Sequence, residues 1–190
     1  FEFSNVPAGY DPAELNASIS PATIRIAGAA DTVDGIESVN AGFINLARVQ
    51  LGKAETLKIQ LSEGLVNVDD VQEATVTFDT SGYGEPRAIT VSDIRVVNAP
   101  SGVDVKVITE SINNVTLVGE AEELAAISPS DVIAQVDASA QNITVKGSGQ
   151  QQFSAQIIVT GTKTVFATGA YSVPVSYTHL RAHETGRNLV

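Results

Sequence analysis

The stretch from Asn114 to Ile127, NVTLVGEAEELAAI, sets the pattern around which the rest of the chain is organised. Apolar residues alternate up to Val118, Gly119 permits a turn, and Leu124 then stands three residues before Ile127. Alternation predicts a strand, and a spacing of three predicts one face of a helix. We therefore predict a short strand, a glycine turn and about two helical turns with a buried apolar side.

The same order of residues occurs earlier, between Ala22 and Val39. Gly28 takes the place of Gly119 at an offset of 91 residues, and Val33 and Ile36 take the places of the two helical apolar residues. An upstream motif, Asn-x-Pro-x-Gly-x-Asp, also occurs twice, at an offset of 93 residues. Its members are Asn5, Pro7, Gly9 and Asp11 in the first copy and Asn98, Pro100, Gly102 and Asp104 in the second.

Two patterns that recur in one order, at nearly one offset, indicate two copies of one unit. A period of about 90 residues is typical of tandem domains and exceeds the period of a solenoid repeat. We therefore predict two domains, residues 1–93 and residues 94–174, which fits the usual length of a domain.

Between these motifs, apolar and polar residues alternate over short runs, which predicts strands. The clearest case is Glu55 to Leu61, where every second residue is apolar. The sequence predicts helices at about Ala30–Glu37 and Glu120–Ile127. Predicted strands cover residues 1–3, 23–27, 43–46, 55–61, 74–78, 89–97, 104–108, 114–118, 133–137, 153–160 and 165–173. The segment after Tyr10, through Ser20, stays ambiguous. The predicted fold class is mainly β, with one short helix in each domain.

Charge narrows the range of partners. The chain has 22 acidic and 11 basic residues, a formal net charge of −11 and a pI of about 4.4. This charge repels the phosphates of nucleic acids and of anionic lipids, which argues against both as partners. A hydrophobic content of 43% is sufficient for a core, and disorder is not expected.

The chain contains neither cysteine nor methionine. The absence of cysteine excludes disulfides, thiolate metal sites and cysteine nucleophiles. Because the chain begins within a strand-like FEF and lacks an initiator methionine, we expect the N-terminus to be a cut end with any membrane anchor upstream. No run of the sequence approaches the roughly 18 apolar residues of a membrane helix.

The last residues, 175–190, differ from the rest of the chain. Both histidines, His179 and His183, lie there. The string VSYTHLRAHET, residues 175–185, resembles the translation of a sequencing-library adapter. We therefore expect residues 175–190 to be an artefactual tail outside the fold.

No set of residues predicts a catalytic site. Without a histidine before the tail, neither a Ser-His-Asp triad nor a histidine metal site can form. Asp31 with Asp34, or Asp69 with Asp70, could hold a calcium ion, but neither pair has EF-hand spacing, and an aspartate at a helix start more often caps the helix. We predict no catalytic residue, no cofactor, no metal site and no small-molecule substrate.

Three further features have a structural and a functional interpretation. Gly147-Ser-Gly149 is more typical of a hairpin loop than of a phosphate-binding loop, because it opens no helix and lacks lysine. The triplets that begin at Asn16, Asn114 and Asn142 match the glycosylation sequon, which is common by chance. The residues from Gln150 to Gln152 are either a solvated strand face or an edge for strand addition.

The repeated pattern resembles the YbbR-like domain family. In the second copy, the resemblance rests on residues 115–127, VTLVGEAEELAAI, and on residues 134–137, AQVD. In the first copy it rests on the segment from Ile24 to Leu46, and the run-in IRVVNAPSG at residues 94–102 precedes the next unit. It covers essentially residues 1–173, and the first copy departs from the second by having Asn45 where the second has Asp137.

The resemblance implies β-rich units with a short helix, outside the cytoplasm and attached to the cell membrane by an N-terminal anchor. It further implies a CdaR-like regulator that modulates a membrane diadenylate cyclase, the enzyme that makes cyclic di-AMP, by protein contact. The family has no known catalytic residues, so none is transferred to this chain. The alternative is a structural spacer or surface-interaction repeat of the bacterial cell envelope, and an enzyme is the third possibility.

Overall fold

The computed structural model describes residues 1–139 and 148–179, and these residues form mainly strands. The strands are β1 (Glu2–Ser4), β2 (Ala17–Ser20), β3 (Ile26–Ala27), β4 (Phe43–Asn45), β5 (Glu55–Lys58), β6 (Val66–Asn67), β7 (Glu73–Phe78), β8 (Arg87–Val91), β9 (Asp93–Val97), β10 (Val103–Val107), β11 (Ile112–Val118), β12 (Val132–Asp137), β13 (Ser148–Val159), β14 (Phe166–Thr168) and β15 (Tyr171–His179). The helices are α1 (Ala30–Val33) and α2 (Ala121–Ala126), and 3-10 turns lie at Pro12–Glu14 and Pro129–Asp131. The predicted fold class, mainly β with a minor helical part, is confirmed.

The largest sheet has the order β10-β15-β13-β12-β9 and is antiparallel except where β12 pairs with β9. A second sheet, β14-β11-β8, shares its apolar core. Earlier in the chain lie the sheet β2-β7-β5 and the two-stranded pairs β1-β4 and β3-β6. The strands alternate as the sequence predicts: in β12, for example, every second residue from Val132 is buried.

Strand pairings recur in residues 1–86, called the first half, and residues 87–179, called the second half. The second half includes β8, because β8 pairs with β11 and packs in the same core. β1 pairs in parallel with β4, and β9 pairs in parallel with β12. The last pair of the first ladder is Ser4 with Asn45, and the last pair of the second is Val97 with Asp137. The next residue is alike too, since Asn5 has φ 50° and Asn98 has φ 52°. Ser4 and Asn5 match Val97 and Asn98 at the repeat offset of 93 residues, and Asn45 matches Asp137 at an offset of 92.

A second pairing also recurs. β3 pairs with β6 through Ala27 and Val66, and β11 pairs with β14 through Val118 and Phe166. Each helix follows the first strand of its pair after a glycine. The halves differ at one strand edge: β11 has a second neighbour, β8, whereas β3 pairs with β6 alone among the described strands.

The first helix and the strand before it are shorter than the sequence predicts. α1 ends at Val33 instead of near Glu37, and β3 covers residues 26–27 instead of 23–27. The apolar residues Val33 and Ile36 are half-buried, whereas Leu124 and Ile127, their counterparts in α2, are buried. Because most helical stability comes from packing, the less buried helix is the shorter one.

Two predicted strands are each divided in two. The run predicted at residues 89–97 breaks at Ser92 into β8 and β9, which lie in different sheets. The run predicted at residues 165–173 breaks between β14 and β15 at Gly169, whose φ is 112°. The ambiguous segment 10–20 contains a 3-10 turn and β2.

The exclusion of the C-terminal tail from the fold was wrong for residues 175–179. β15 continues through them and pairs with β10, from Val107 opposite Val175 to Val103 opposite His179. Val175 and Tyr177 are buried, because the inward alternation of β15 continues past Pro174. Residues 180–190 lie outside the described part of the chain, and the adapter origin of the string stays a prediction.

We predict that Gly119→Ala destabilises the fold, because a Cβ there would lie 2.7 Å from Val165 Cα and would also meet Thr164 O. The expected loss is about 2 kcal/mol of unfolding free energy, measured by urea denaturation. Gly35→Ala is the matched control, since a Cβ there has no neighbour within 4 Å. Equal stability of the two variants would contradict the close approach.

Candidate functional site: the junction between the two halves

Apolar side chains from the second half lie in the core of the first half. Successive residues of a strand point to opposite faces. β11 therefore directs Leu117 into the second-half core and Val118 into the first-half core. β14 does the same with Ala167 and Phe166. One pair of strands thus belongs to two cores.

Phe166 is the centre of this junction. Its side chain is 1% exposed, and its ring centroid lies 4.4 Å from that of Tyr10. Around it are buried residues of the first half: Tyr10, Leu15, Ile44, Leu46, Val49, Val76 and Phe78. An aromatic ring buried in this way is among the larger single contributions to packing.

Backbone hydrogen bonds cross the junction at two places. The Gly169 N–H donates to Ala47 O over 2.7 Å. The loop that precedes β8 meets the start of α2, where Gly84 N–H donates to Gly119 O and Ala121 N–H donates to Gly82 O, at 3.0 and 2.9 Å. The halves are therefore joined by polar contacts as well as by a shared core.

Two tyrosine hydroxyls, those of Tyr10 and Tyr83, are buried at the junction. Neither makes a hydrogen bond of good geometry to another described group. Burial raises the pKa of both phenols, and the proximity of Tyr83 raises that of Tyr10 further. A phenol is uncharged at neutral pH even at its ordinary pKa of about 10, so the pair places no charge in the junction.

A groove of about 450 Å³ lies along the junction. Its apolar lining includes Ala155, Ala167 and Tyr171, and its polar lining includes Asn5, Asn45, Arg48, Gln135, Asp137 and Gln156. The Tyr171 hydroxyl is held by the strands around it, since it accepts from Thr116 N–H at 2.9 Å and donates to Thr168 O at 2.6 Å. The exposed Arg48 supplies positive charge to the lining of this groove in an acidic chain.

Asn45 and its counterpart in the second copy, Asp137, each stabilise a backbone turn at the groove. Asn45 Oδ1 accepts from Ala47 N–H at 3.0 Å, and Asp137 Oδ1 accepts from Ser139 N–H at 2.9 Å. Asp137 also accepts from Asn98 Nδ2 at 3.0 Å. Amide and carboxylate oxygens both stabilise a turn two residues ahead, so the exchange leaves the local backbone unchanged.

The helical face predicted from the sequence is a packing face. Leu124 and Ile127 are 4% and 7% exposed and lie in the second-half core. Arg87 Nη1 donates to the carbonyl oxygens of the same two residues, over 3.1 and 2.8 Å. A cation at a helix C-terminus stabilises the unpaired carbonyls there.

Glu123, in the first turn of α2, forms hydrogen bonds with the segment that leads into β14. Glu123 accepts hydrogen bonds from the hydroxyls of Thr162 and Thr164, the second at 2.8 Å. These bonds favour the ionised carboxylate and hold the pKa of Glu123 below its usual value.

The carboxylate pairs singled out in the sequence are exposed or already engaged. Asp31 and Asp34 are exposed on α1 and just after it. Asp69 receives the Arg25 guanidinium at 2.6 Å, which lowers the pKa of Asp69, and Asp70 accepts from Gln72 at 2.8 Å. In residues 1–139 and 148–179, no group of three or more His, Cys, Asp or Glu residues is placed to hold a metal ion.

The other segments singled out in the sequence lie in strands or at the exposed surface. Gly149 is not in a hairpin loop but in β13, where a Cβ would lie 2.6 Å from the Tyr177 hydroxyl, and Gly147 lies outside the described residues. The segment from Gln150 to Gln152 is exposed and pairs with β15. Asn16 and Asn114 are exposed, and the sequon at Asn142 lies outside the described residues.

Val118 and Phe166 were not predicted as junction residues. The sequence predicted strands at both places but did not show which core the outer face of each strand enters. The signal was present, because consecutive apolar residues, LV at 117–118 and VFA at 165–167, indicate a strand buried on both sides.

Neither described helix could cross a membrane, since α1 has four residues and α2 has six.

No family model and no curated protein sequence matches the chain at a significant level. Two solved structures are similar to it, and both are of YbbR-like proteins, as the sequence resemblance predicted. One is a YbbR-like domain from Listeria monocytogenes, with 18% identity, a TM-score of 0.34, and coverage of 53% of this chain and 100% of that one. The other, from Streptococcus pneumoniae TIGR4, has 19% identity, a TM-score of 0.34, and coverage of 74% and 69%. Similarity at this level carries no inference about partner, activity or location.

We predict that Phe166→Ala lowers the unfolding free energy by about 3–5 kcal/mol, the usual cost of truncating a buried phenylalanine. Phe43→Ala is the matched control, because Phe43 is 62% exposed, and its expected effect is within about 0.5 kcal/mol. Urea denaturation measures both. A Phe166 variant as stable as the Phe43 variant would show that the junction core is not formed.

We predict that Glu123 stabilises the fold at neutral pH and ceases to do so in acid. Its pKa is lower in the folded chain than the ordinary 4.5, so its contribution is present above about pH 4.5 and is lost as the pH falls through the folded-state value. Urea denaturation of the parent and of Glu123→Gln should therefore give different unfolding free energies at pH 7, and the difference should become smaller at an acidic pH below 4.5. A difference that is the same at both pH values would mean that the ionised carboxylate is not favoured.

Proposed function

We propose that this chain is a non-catalytic YbbR-like module of two tandem units that acts by contact with a protein partner outside the cytoplasm. The observation that supports this proposal most is the shared core at Phe166. Two units joined through one core keep a constant relative orientation, and a module that acts by contact requires surfaces held in a constant arrangement. The repeated pairings of β1 with β4 and of β9 with β12 support the division into two units.

We further propose that the partner is a membrane diadenylate cyclase and that contact changes its output of cyclic di-AMP. The support for this step is the sequence resemblance to CdaR-like regulators. The groove at the junction is the candidate contact surface, since a groove with an apolar floor and polar groups around it can receive a segment of a partner protein. Arg48 is the basic side chain of its lining.

The second candidate function is a structural spacer of the cell envelope. The same joined core favours it, because two units in a constant orientation also set a constant distance. The two candidates differ in a measurable way: a regulator changes the activity of the cyclase, whereas a spacer does not.

The test is to measure cyclic di-AMP in a heterologous host that expresses the cyclase, with and without this chain fused to an N-terminal membrane helix. We expect the chain to change the cyclic di-AMP level. Arg48→Glu should reduce that change, because it replaces the basic side chain of the groove lining by an acidic one. Lys53→Glu is the matched control, since it reverses an exposed charge outside the groove lining and should leave the change intact.

Export and folding of each variant are checked by protease protection and circular dichroism. No change in cyclic di-AMP with a folded, exported chain would contradict regulation and favour the spacer. Equal effects of the two charge reversals would contradict the assignment of the groove as the contact surface.

A further inference from the structure

A second groove, of about 390 Å³, lies in the first half beside β3. Its lining is largely aliphatic and includes Ile19, Ile24, Ile26, Ile36 and Val39, together with the N-terminal Phe1. We propose that this groove receives one further strand, which adds to the open edge of β3 and runs directly into Phe1. The proposal rests on the correspondence between the two halves and goes beyond the proposed regulatory function.

The second half contains the strand that the first half lacks. There, β8 pairs with β11, with Ile89 opposite Val115 and Arg87 opposite Leu117. At the repeat offset of 91 residues, Val115 and Leu117 correspond to Ile24 and Ile26. The edge of β3 beside the groove is therefore the edge that β8 occupies in the other copy.

The backbone of β3 is arranged to accept such a strand. On the β6 side, Val68 N–H donates to Arg25 O at 2.9 Å, and Arg25 N–H donates to the Asp69 carboxylate at 2.6 Å. Backbone groups of successive residues in a strand point to opposite edges. Those of Ile26, the first residue of β3, therefore face the open side. Ile24 precedes β3, and a third strand would extend the pairing to it.

The side chains beside the groove match those that β8 covers. In the second half, Ile89 and Val91 of β8 are buried in one core with Leu124 and Ile127. The counterparts of the two helical residues, Val33 and Ile36, are only half-buried. Ile36 lines the groove, so two branched aliphatic side chains there would cover it, as the core that contains β8 covers Ile127 in the other copy.

The contact of Arg87 with the end of α2 indicates which further side chain the occupant of the groove should carry. The guanidinium of Arg87 binds the carbonyls of Leu124 and Ile127 at the end of α2, which has six residues. α1 has four residues and receives no such contact from a described arginine. The occupant is therefore a strand with a basic residue followed by alternating aliphatic residues, as in the RAITV of β8.

The spacing between strands places this occupant directly ahead of Phe1. β8 ends at Val91 and β9 begins at Asp93, so one residue separates them. β9 corresponds to β1 at the offset of 93 residues, where Ile94 matches Phe1. A strand equivalent to β8 would thus reach the groove without a loop.

The experiment extends the full chain at its N-terminus with GEPRAITVSD, a copy of residues 84–93, which restores the spacing of the second half. The readout is amide hydrogen exchange at Ile24 and Ile26. We expect exchange about tenfold slower than in the parent, because two net hydrogen bonds are gained, and a higher Tm. The matched control carries GEPRASTSSD, which has the same length and charge but no aliphatic side chains for the groove.

The proposal is supported if the first extension protects these amides and the second does not. Equal protection by both extensions would overturn the role of the groove, and protection by neither would overturn strand addition. The readout needs no cyclase, so its failure is distinct from failure of the proposed regulatory function.

Discussion

The arrangement of this chain depends on the strand pair β11-β14, which belongs to two cores at once. Strand geometry alone divides consecutive residues between opposite faces. Leu117 and Ala167 complete the core of the second half, and Val118 and Phe166 complete that of the first. Any change that disturbs this pair therefore weakens both cores, and the relative position of the two halves follows from packing rather than from a linker. The groove lined by Arg48 exists because this packing is fixed.

The same strand pairings occur in both halves, but β11 has a neighbour on each edge, whereas β3 has one on a single edge among the described strands. In the second half, β8 covers the β11 edge, its aliphatic residues fill the core beside α2, and Arg87 binds the last carbonyls of that helix. The first half has the counterpart edge, helix and half-buried side chains, and a groove where the strand would lie. The shorter helix α1 follows from this difference, since the burial of an apolar face contributes most of the stability of a short helix.

The sequence predicted the fold class and most strands because a period of two is a local property of the chain. It also predicted the helical pair Leu124 and Ile127 as buried. It did not predict the junction, because which element covers the outer face of Phe166 depends on residues that are distant in sequence, such as Tyr10. The ends of α1 and the division of residues 165–173 into two strands were missed for the same reason: packing, rather than propensity, sets those boundaries. Past Pro174, the buried residues Val175 and Tyr177 of β15 continue the alternation of apolar and polar residues that is present in the sequence.

The central claim is that β11 and β14 pack in the cores of both halves, so that the two halves unfold together. Differential scanning calorimetry of the chain at neutral pH tests this claim most directly. We predict a single transition whose calorimetric enthalpy equals the van't Hoff enthalpy, as expected for one cooperative unit. Two separate transitions, or a calorimetric enthalpy well above the van't Hoff value, would show that the halves unfold independently and would contradict the account.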